Sequence, residues 1–177
     1  MALMRMHMAG FGGQGILLIG KMIALASMFD DKEVTWMPAY GPEMRGGTAN
    51  CTVCIDDEPI ISPLVSKCEC LIAMNGPSLK KFEHMLVPGG DLFVNSSLIK
   101  EPISRTDVKI HYVDSTGIAE KKFGSSKAAN IVMLGAVLKV TGISSKETMK
   151  KVFEEELTGS KAKFIPMNME ALDAWEE

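Results

Sequence analysis

A chain of 177 residues fits one domain and is long enough to bury a substantial core. Its 46% hydrophobic and 23% charged residues exclude a disordered or disulfide-built protein, and a net charge of -3 without a basic, aromatic-studded stripe excludes nucleic acid as an expected partner. No apolar run reaches the ~18 residues of a membrane span, and Arg5 and His7 interrupt the apolar start, so neither a membrane segment nor a signal peptide is expected.

A cytoplasmic location follows as the expectation, with the four cysteines reduced. The 14 methionines suit adaptable filler in core and interfaces.

Residues 3–9 read as a first strand with one apolar face, Met4, Met6 and Met8, and one mixed face. Ala9-Gly10-Phe11-Gly12-Gly13-Gln14-Gly15 follows, a turn with glycines at G-x-G-x-x-G spacing. Residues 14–29 then place Ile16, Leu17, Ile19, Ile23, Ala24 and Ala26 at helical intervals, with Asp30-Asp31 closing the helix. A glycine turn between strand and helix lets backbone N–H groups approach an anionic or polar group that the positive helix end faces.

Residues 34–37, β-branched and aromatic, predict a second parallel strand ending at Pro38. A dinucleotide site would carry an acidic residue about 20 residues beyond the glycines, at the end of that strand. Met37-Pro38-Ala39-Tyr40 offers none, and Asp30, Asp31 and Glu33 precede the strand as solvated turn residues. The missing carboxylate counts against a free-standing NAD- or flavin-binding oxidoreductase, which stays open as a rival.

Residues 50–55 form a strand, Asp56-Asp57 a turn and residues 59–61 a short return, a hairpin rather than a crossover. Residues 68–74 read as a buried strand, followed by Asn75-Gly76-Pro77-Ser78 and a short helix through Leu86. Pro88-Gly89-Gly90 turns the chain into a strand at 91–95. Another strand spans 109–113, and Asp114-Ser115-Thr116 caps a helix to Phe123. Residues 130–140 are apolar on nearly all sides, Ser144 and Glu147 have capping-box spacing before the next helix, and residues 165–175 suit a short packed helix.

The fold expected is α/β: a Rossmann-like, mainly parallel sheet with helices on both faces and a β-hairpin addition, in one domain spanning 1–177.

Cys51 and Cys54, with Cys68 and Cys70, invite a metal reading. Strand alternation sends Cys51 and Cys54 to opposite faces, and although Cys68 and Cys70 share one, core packing is the expected role and no metal site is assigned. His7, His84 and His111 are scattered and no nucleophile elbow appears, so no catalytic residues are assigned. The loop at 36–50 is different. It presents Glu43 and Arg45 between Gly41-Pro42 and Gly46-Gly47, and loops after parallel strands gather beside the glycine turn, although a solvated loop with an internal ion pair is the alternative.

Gly10-Phe11-Gly12-Gly13-Gln14-Gly15, followed by Tyr40-Gly41-Pro42-Glu43-Met44-Arg45-Gly46-Gly47-Thr48-Ala49-Asn50-Cys51, resembles the gamma subunit of 2-oxoacid:ferredoxin oxidoreductases of the 2-oxoglutarate and branched-chain types. The match is strongest over residues 9–63. The resemblance implies oxidative decarboxylation of a 2-oxoacid, 2-oxoglutarate by preference, to acyl-CoA with reduction of ferredoxin, in a complex with alpha, beta and delta subunits. It implies thiamine diphosphate and iron–sulfur clusters in those partner subunits, no cofactor held by this chain alone, and contact with coenzyme A.

On that resemblance the binding residues are Gly10, Gly12, Gly13, Gln14, Gly15, Glu43, Arg45, Gly46 and Gly47. Whether the turn meets coenzyme A, thiamine diphosphate or only a partner subunit stays open, as does a purely structural assembly role.

Overall fold

The computed structural model describes residues 3–39 and 48–176. Its elements in order are β1 (Met4–Phe11), α1 (Ile16–Phe29), β2 (Glu33–Ala39), β3 (Thr48–Asp56), β4 (Cys68–Ala73), α2 (Gly76–Phe82), β5 (Leu86–Asn95), β6 (Lys109–Val113), α3 (Ser115–Phe123), α4 (Ala129–Thr141), α5 (Lys146–Glu156) and α6 (Ile165–Leu172). The strands make one six-stranded sheet in the order β2-β3-β1-β4-β5-β6. The β1–β4, β4–β5 and β5–β6 pairs are parallel, whereas β3 runs antiparallel to both of its neighbours, β1 and β2.

The mainly parallel α/β architecture is as the sequence predicts, but the hairpin is elsewhere. β2 does not pair with β1; β3 lies between them and forms the hairpin with β2. The expected return strand at 59–61 is irregular chain. With no N–H at Pro59, that stretch is short of the donors that a ladder requires.

Strands buried on both faces explain their near-continuous apolar runs. Met6, Met8, Cys70, Ile72 and Phe93 join one core with residues of α1, α3, α4, α5 and α6. Leu71, Ala73, Leu92 and Val94 join the opposite core with Leu79 of α2 and with Met85 and Ile99. Arg5, on the first strand, donates from its backbone and guanidinium to Glu69 on β4.

Other expectations are corrected by long-range contacts. Cys68 and Cys70 do not share a face: the β4–β5 register shifts between them, sending Cys68 into one core and Cys70 into the other. The cysteines are free and buried, and burial pushes the Cys51 and Cys68 thiols up to about 12, disfavouring thiolates. Pro88, Gly89 and Gly90 lie inside β5 rather than before it.

Asp30 is no solvated turn residue, since it accepts hydrogen bonds from Ser144 Oγ at 2.5 Å and Thr148 Oγ1 at 2.8 Å. Ser144 being so engaged, Ser145 is the cap of α5 and accepts from Thr148 N at 3.0 Å. Asp114 precedes α3 without a side-chain cap bond.

His7 is 4% exposed on β1, with Nδ1 3.1 Å from Thr52 Oγ1 and its ring 4.4 Å from that of Phe82. Burial lowers its pKa from 6.5 to about 4. Between those values the unfolded chain takes up a proton that the folded chain refuses, so stability present above the unfolded pKa is lost as pH falls toward the folded one. His7→Gln is expected to remove about 3 kcal/mol of the stability loss between pH 7 and pH 4, measured by urea unfolding of both proteins across that range. An unchanged pH slope would contradict the assignment.

Candidate functional site at the strand switch point

The carboxyl ends of β1 and β4 lie side by side, and the chain leaves them in opposite directions. α1 leads toward β2 on one face of the sheet, and α2 toward β5 on the other. In open α/β sheets the crevice outside such a divergence is where ligands bind.

Side-chain amides tie the diverging turns together. Gln14 Oε1 accepts from Phe11 N at 2.7 Å and from Asn75 Nδ2 at 2.9 Å, while Gln14 Nε2 donates to the Met74 carbonyl at 3.2 Å. Asn75 Oδ1 in turn caps α2 by accepting from Ser78 N at 2.9 Å. Asn95, at the end of β5, donates to Thr116 Oγ1 at 2.9 Å, and so links the sheet edge to the first turn of α3.

The glycines have separate reasons. A Cβ on Gly10 would come within 2.7 Å of Ile16 Cγ1 and 2.8 Å of Gln14 Oε1, so only glycine lets the turn fold back under the helix start. Gly15 is the N-cap of α1 at φ 73°, a left-handed conformation, and a Cβ there would strike the Asn130 side chain, coming 2.8 Å from its Cγ. Gly12 and Gly13 are exposed, and Gly13 at φ 94° has open space where a Cβ would stand.

An open cleft of about 350 Å³ lies beside this turn. Gly13, Gln14 and Gly15 form one wall, with Met74 beside them, while Thr116 and Glu120 of α3 and Asn130 of α4 stand across it. Leu98 and Lys127 are exposed parts of its lining. The N-termini of α1, α3 and α4 all reach the cleft, but at α3 Gly117 N donates to Ser97 Oγ, itself bonded to Asp114 at the helix start, and α4 continues from a 3-10 turn, Ser126–Ala128, in which Ser125 Oγ accepts from Lys127 N. The start of α1, with Gly15 as its N-cap and neither a side-chain cap bond nor an acidic residue in its first turn, brings free N–H groups and a positive dipole end that favour an anion.

A second cleft of about 380 Å³ lies toward the other end of α4. Its cations are already engaged: Lys146 pairs with Asp173, and Lys139 stands 5.4 Å over the Trp175 ring.

Of the residues predicted from sequence, Gly13, Gln14 and Gly15 line the cleft, while Gly10 shapes the turn and Gly12 stands at its exposed tip. Glu43, Arg45, Gly46 and Gly47 lie outside the described residues. Thr116, Lys127 and Asn130 were not foreseen; the available signal was one amide at the start of an otherwise apolar helix. Among the described residues no group of three or more His, Cys, Asp or Glu could hold a metal ion.

Residues 5–174 match the family model described as pyruvate ferredoxin/flavodoxin oxidoreductase. The chain is 38% identical to ketoisovalerate oxidoreductase subunit VorA of Methanothermobacter thermautotrophicus over 98% of its own length, which is 36% of that longer protein. It is 37% identical to 2-oxoglutarate synthase subunit KorC of Methanocaldococcus jannaschii over 82% of this chain and 79% of that one. The solved keto/oxoacid ferredoxin oxidoreductase gamma subunit of Geobacter sulfurreducens superposes with a TM-score of 0.83 at 29% identity, covering 97% of this chain and 95% of that chain.

Gln14→Ala leaves the Phe11 N–H and the Asn75 amide without their shared acceptor. It is expected to destabilise the fold by roughly 1–3 kcal/mol in urea unfolding and to speed hydrogen exchange at Phe11 N. Unchanged exchange at that amide would contradict the bridging role.

Proposed function

The chain belongs to the pyruvate ferredoxin/flavodoxin oxidoreductase family, and from that premise we propose that it is the gamma subunit of a multi-subunit 2-oxoacid:ferredoxin oxidoreductase. Such an enzyme oxidatively decarboxylates a 2-oxoacid to acyl-CoA and carbon dioxide and passes two electrons to ferredoxin. The observation that carries this reading is the family match across residues 5–174, with the cleft beside the glycine turn in support.

In this reading the thiamine diphosphate and the iron–sulfur clusters belong to alpha, beta and delta partners. This chain binds and orients coenzyme A: the cleft beside Gly13–Gly15 receives a phosphate-bearing part, and Glu43 and Arg45 supply charges. Arg45 is suited to a forked contact with phosphate or carboxylate. The preferred oxoacid is 2-oxoglutarate, supported by the likeness to a KorC subunit of comparable length; the VorA likeness supports a branched-chain oxoacid as the second reading.

Affinity purification of the tagged chain from its native cell is expected to recover alpha and beta subunits and ferredoxin reduction dependent on coenzyme A and 2-oxoglutarate. A chain recovered without those partners would overturn the proposal, and turnover with branched-chain oxoacids alone would transfer it to the second substrate. In the assembled enzyme, Arg45→Ala is expected to raise the KM for coenzyme A about tenfold, as loss of one charge-assisted contact implies. Unchanged Michaelis constants with intact assembly would assign the loop a structural role.

A further inference from the structure

We propose that the apolar ridge of residues 59–64, at the end of the sheet opposite the glycine turn, is a docking surface for a partner subunit that presents an apolar socket rimmed by lysine or arginine.

Ile61 is fully exposed and Leu64 is 78% exposed, the two highest values of any large apolar side chain among the described residues. A single exposed aliphatic residue is ordinary, but these two line one open cleft of about 330 Å³ together with Leu3, Pro59 and Ile60. The ridge is anchored at both ends. On one side the Lys32 ammonium pairs with Asp57, and on the other Val65 packs against the core beneath. Between them Ser62 Oγ accepts from Leu64 N at 3.3 Å, and Pro59 and Pro63 fix two backbone φ angles. A surface so shaped before contact loses little entropy on docking.

Charge selects the occupant. Asp56 lines the cleft and the exposed Glu58 adjoins it at Pro59. Asp56 accepts only from the backbone N–H groups of Asp57 and Glu58, at 2.7 and 3.4 Å, and neither carboxylate has a cation partner among the described residues. Arg5, the one cation in the lining, is committed to Glu69. The ridge thus offers uncompensated negative charge beside aliphatic side chains, and its complement is an apolar socket with a basic rim. A second copy of the chain fails that requirement, because a two-fold contact centred on the ridge sets Asp56 and Glu58 against the same residues of the copy. A bilayer surface fails it too, since anionic headgroups repel these carboxylates.

The identity of the partner rests on the reading of this chain as a gamma subunit, and the position of the ridge suits that role. Met4 pairs with Ile55 and Phe11 with Thr48, so Leu3 and Asp56 stand at one end of β1 and β3 and the glycine turn at the other. The separation along the strand is roughly 20 Å. Contact at the ridge therefore leaves the cleft beside Gly13–Gly15 uncovered.

The test purifies the tagged chain, wild type and Ile61→Asp in parallel, from the native cell. Wild type is expected to recover alpha and beta subunits, and Ile61→Asp at least about tenfold less of them, as loss of one buried aliphatic anchor implies. Because Ile61 is fully exposed, thermal unfolding of the isolated variant should match wild type, which separates lost docking from misfolding. Glu58→Lys, which reverses a charge and keeps the apolar ridge, should also lower recovery, most strongly at low salt.

Equal recovery by wild type and Ile61→Asp overturns the surface and leaves the complex standing. Full recovery by Glu58→Lys overturns the basic rim. A wild-type chain that recovers neither subunit refutes the complex, and this occupant with it. An isolated wild-type chain that is a dimer in solution, with Ile61→Asp a monomer, gives the ridge to a second copy and overturns the proposed partner.

Discussion

The side chain of Gln14 holds together two turns that the sheet topology would otherwise part. β1 and β4 are neighbours whose following helices depart to opposite faces, so their carboxyl ends need a connection that the ladder does not supply. Gln14 supplies it through Phe11 N, the Met74 carbonyl and Asn75, and Asn75 extends the tie by capping α2. This chain of amides directs the start of α1 toward the starts of α3 and α4. That fixed direction sets the walls of the cleft, the condition under which a helix dipole acts without reorganisation.

The glycine spacing acquires a different meaning from the one it carries in a dinucleotide fold. Gly10 is required by Ile16 and Gln14, and Gly15 by Asn130, a residue distant in sequence. The pattern thus encodes close packing within the turn and against α4. Gly13 is the member with open space around it, consistent with an approach by a group from outside the chain.

The sequence made the local elements legible where periodicity and turn chemistry acted alone. The extent of α1, the strand Lys109–Val113 and the amphipathic α5 all follow from spacing. What escaped was decided by partners far along the chain. β3 occupies the place beside β1 that a simple crossover would give to β2, and no local pattern in 34–37 distinguishes the two. Ser144 and Ser145 are equally good caps until Asp30 engages the first. The irregularity between Cys68 and Cys70 reverses the faces expected from strict alternation. In the site, Gly13 to Gly15 could be read directly, but Asn130 could not, because its place in the lining comes from the packing of α4 against Gly15, far away in sequence.

The central claim is that a gamma subunit offers a prebuilt cleft at the β1–β4 switch point to the phosphate-bearing part of coenzyme A. Hydrogen exchange of the assembled enzyme with and without coenzyme A tests it most directly. The account predicts slowed exchange in this chain at the first turns of α1 and α4, around Ile16 to Leu18 and Asn130 to Val132, with little change in β2 and α5. Protection by coenzyme A confined to other subunits, with these turns unaltered, would contradict it.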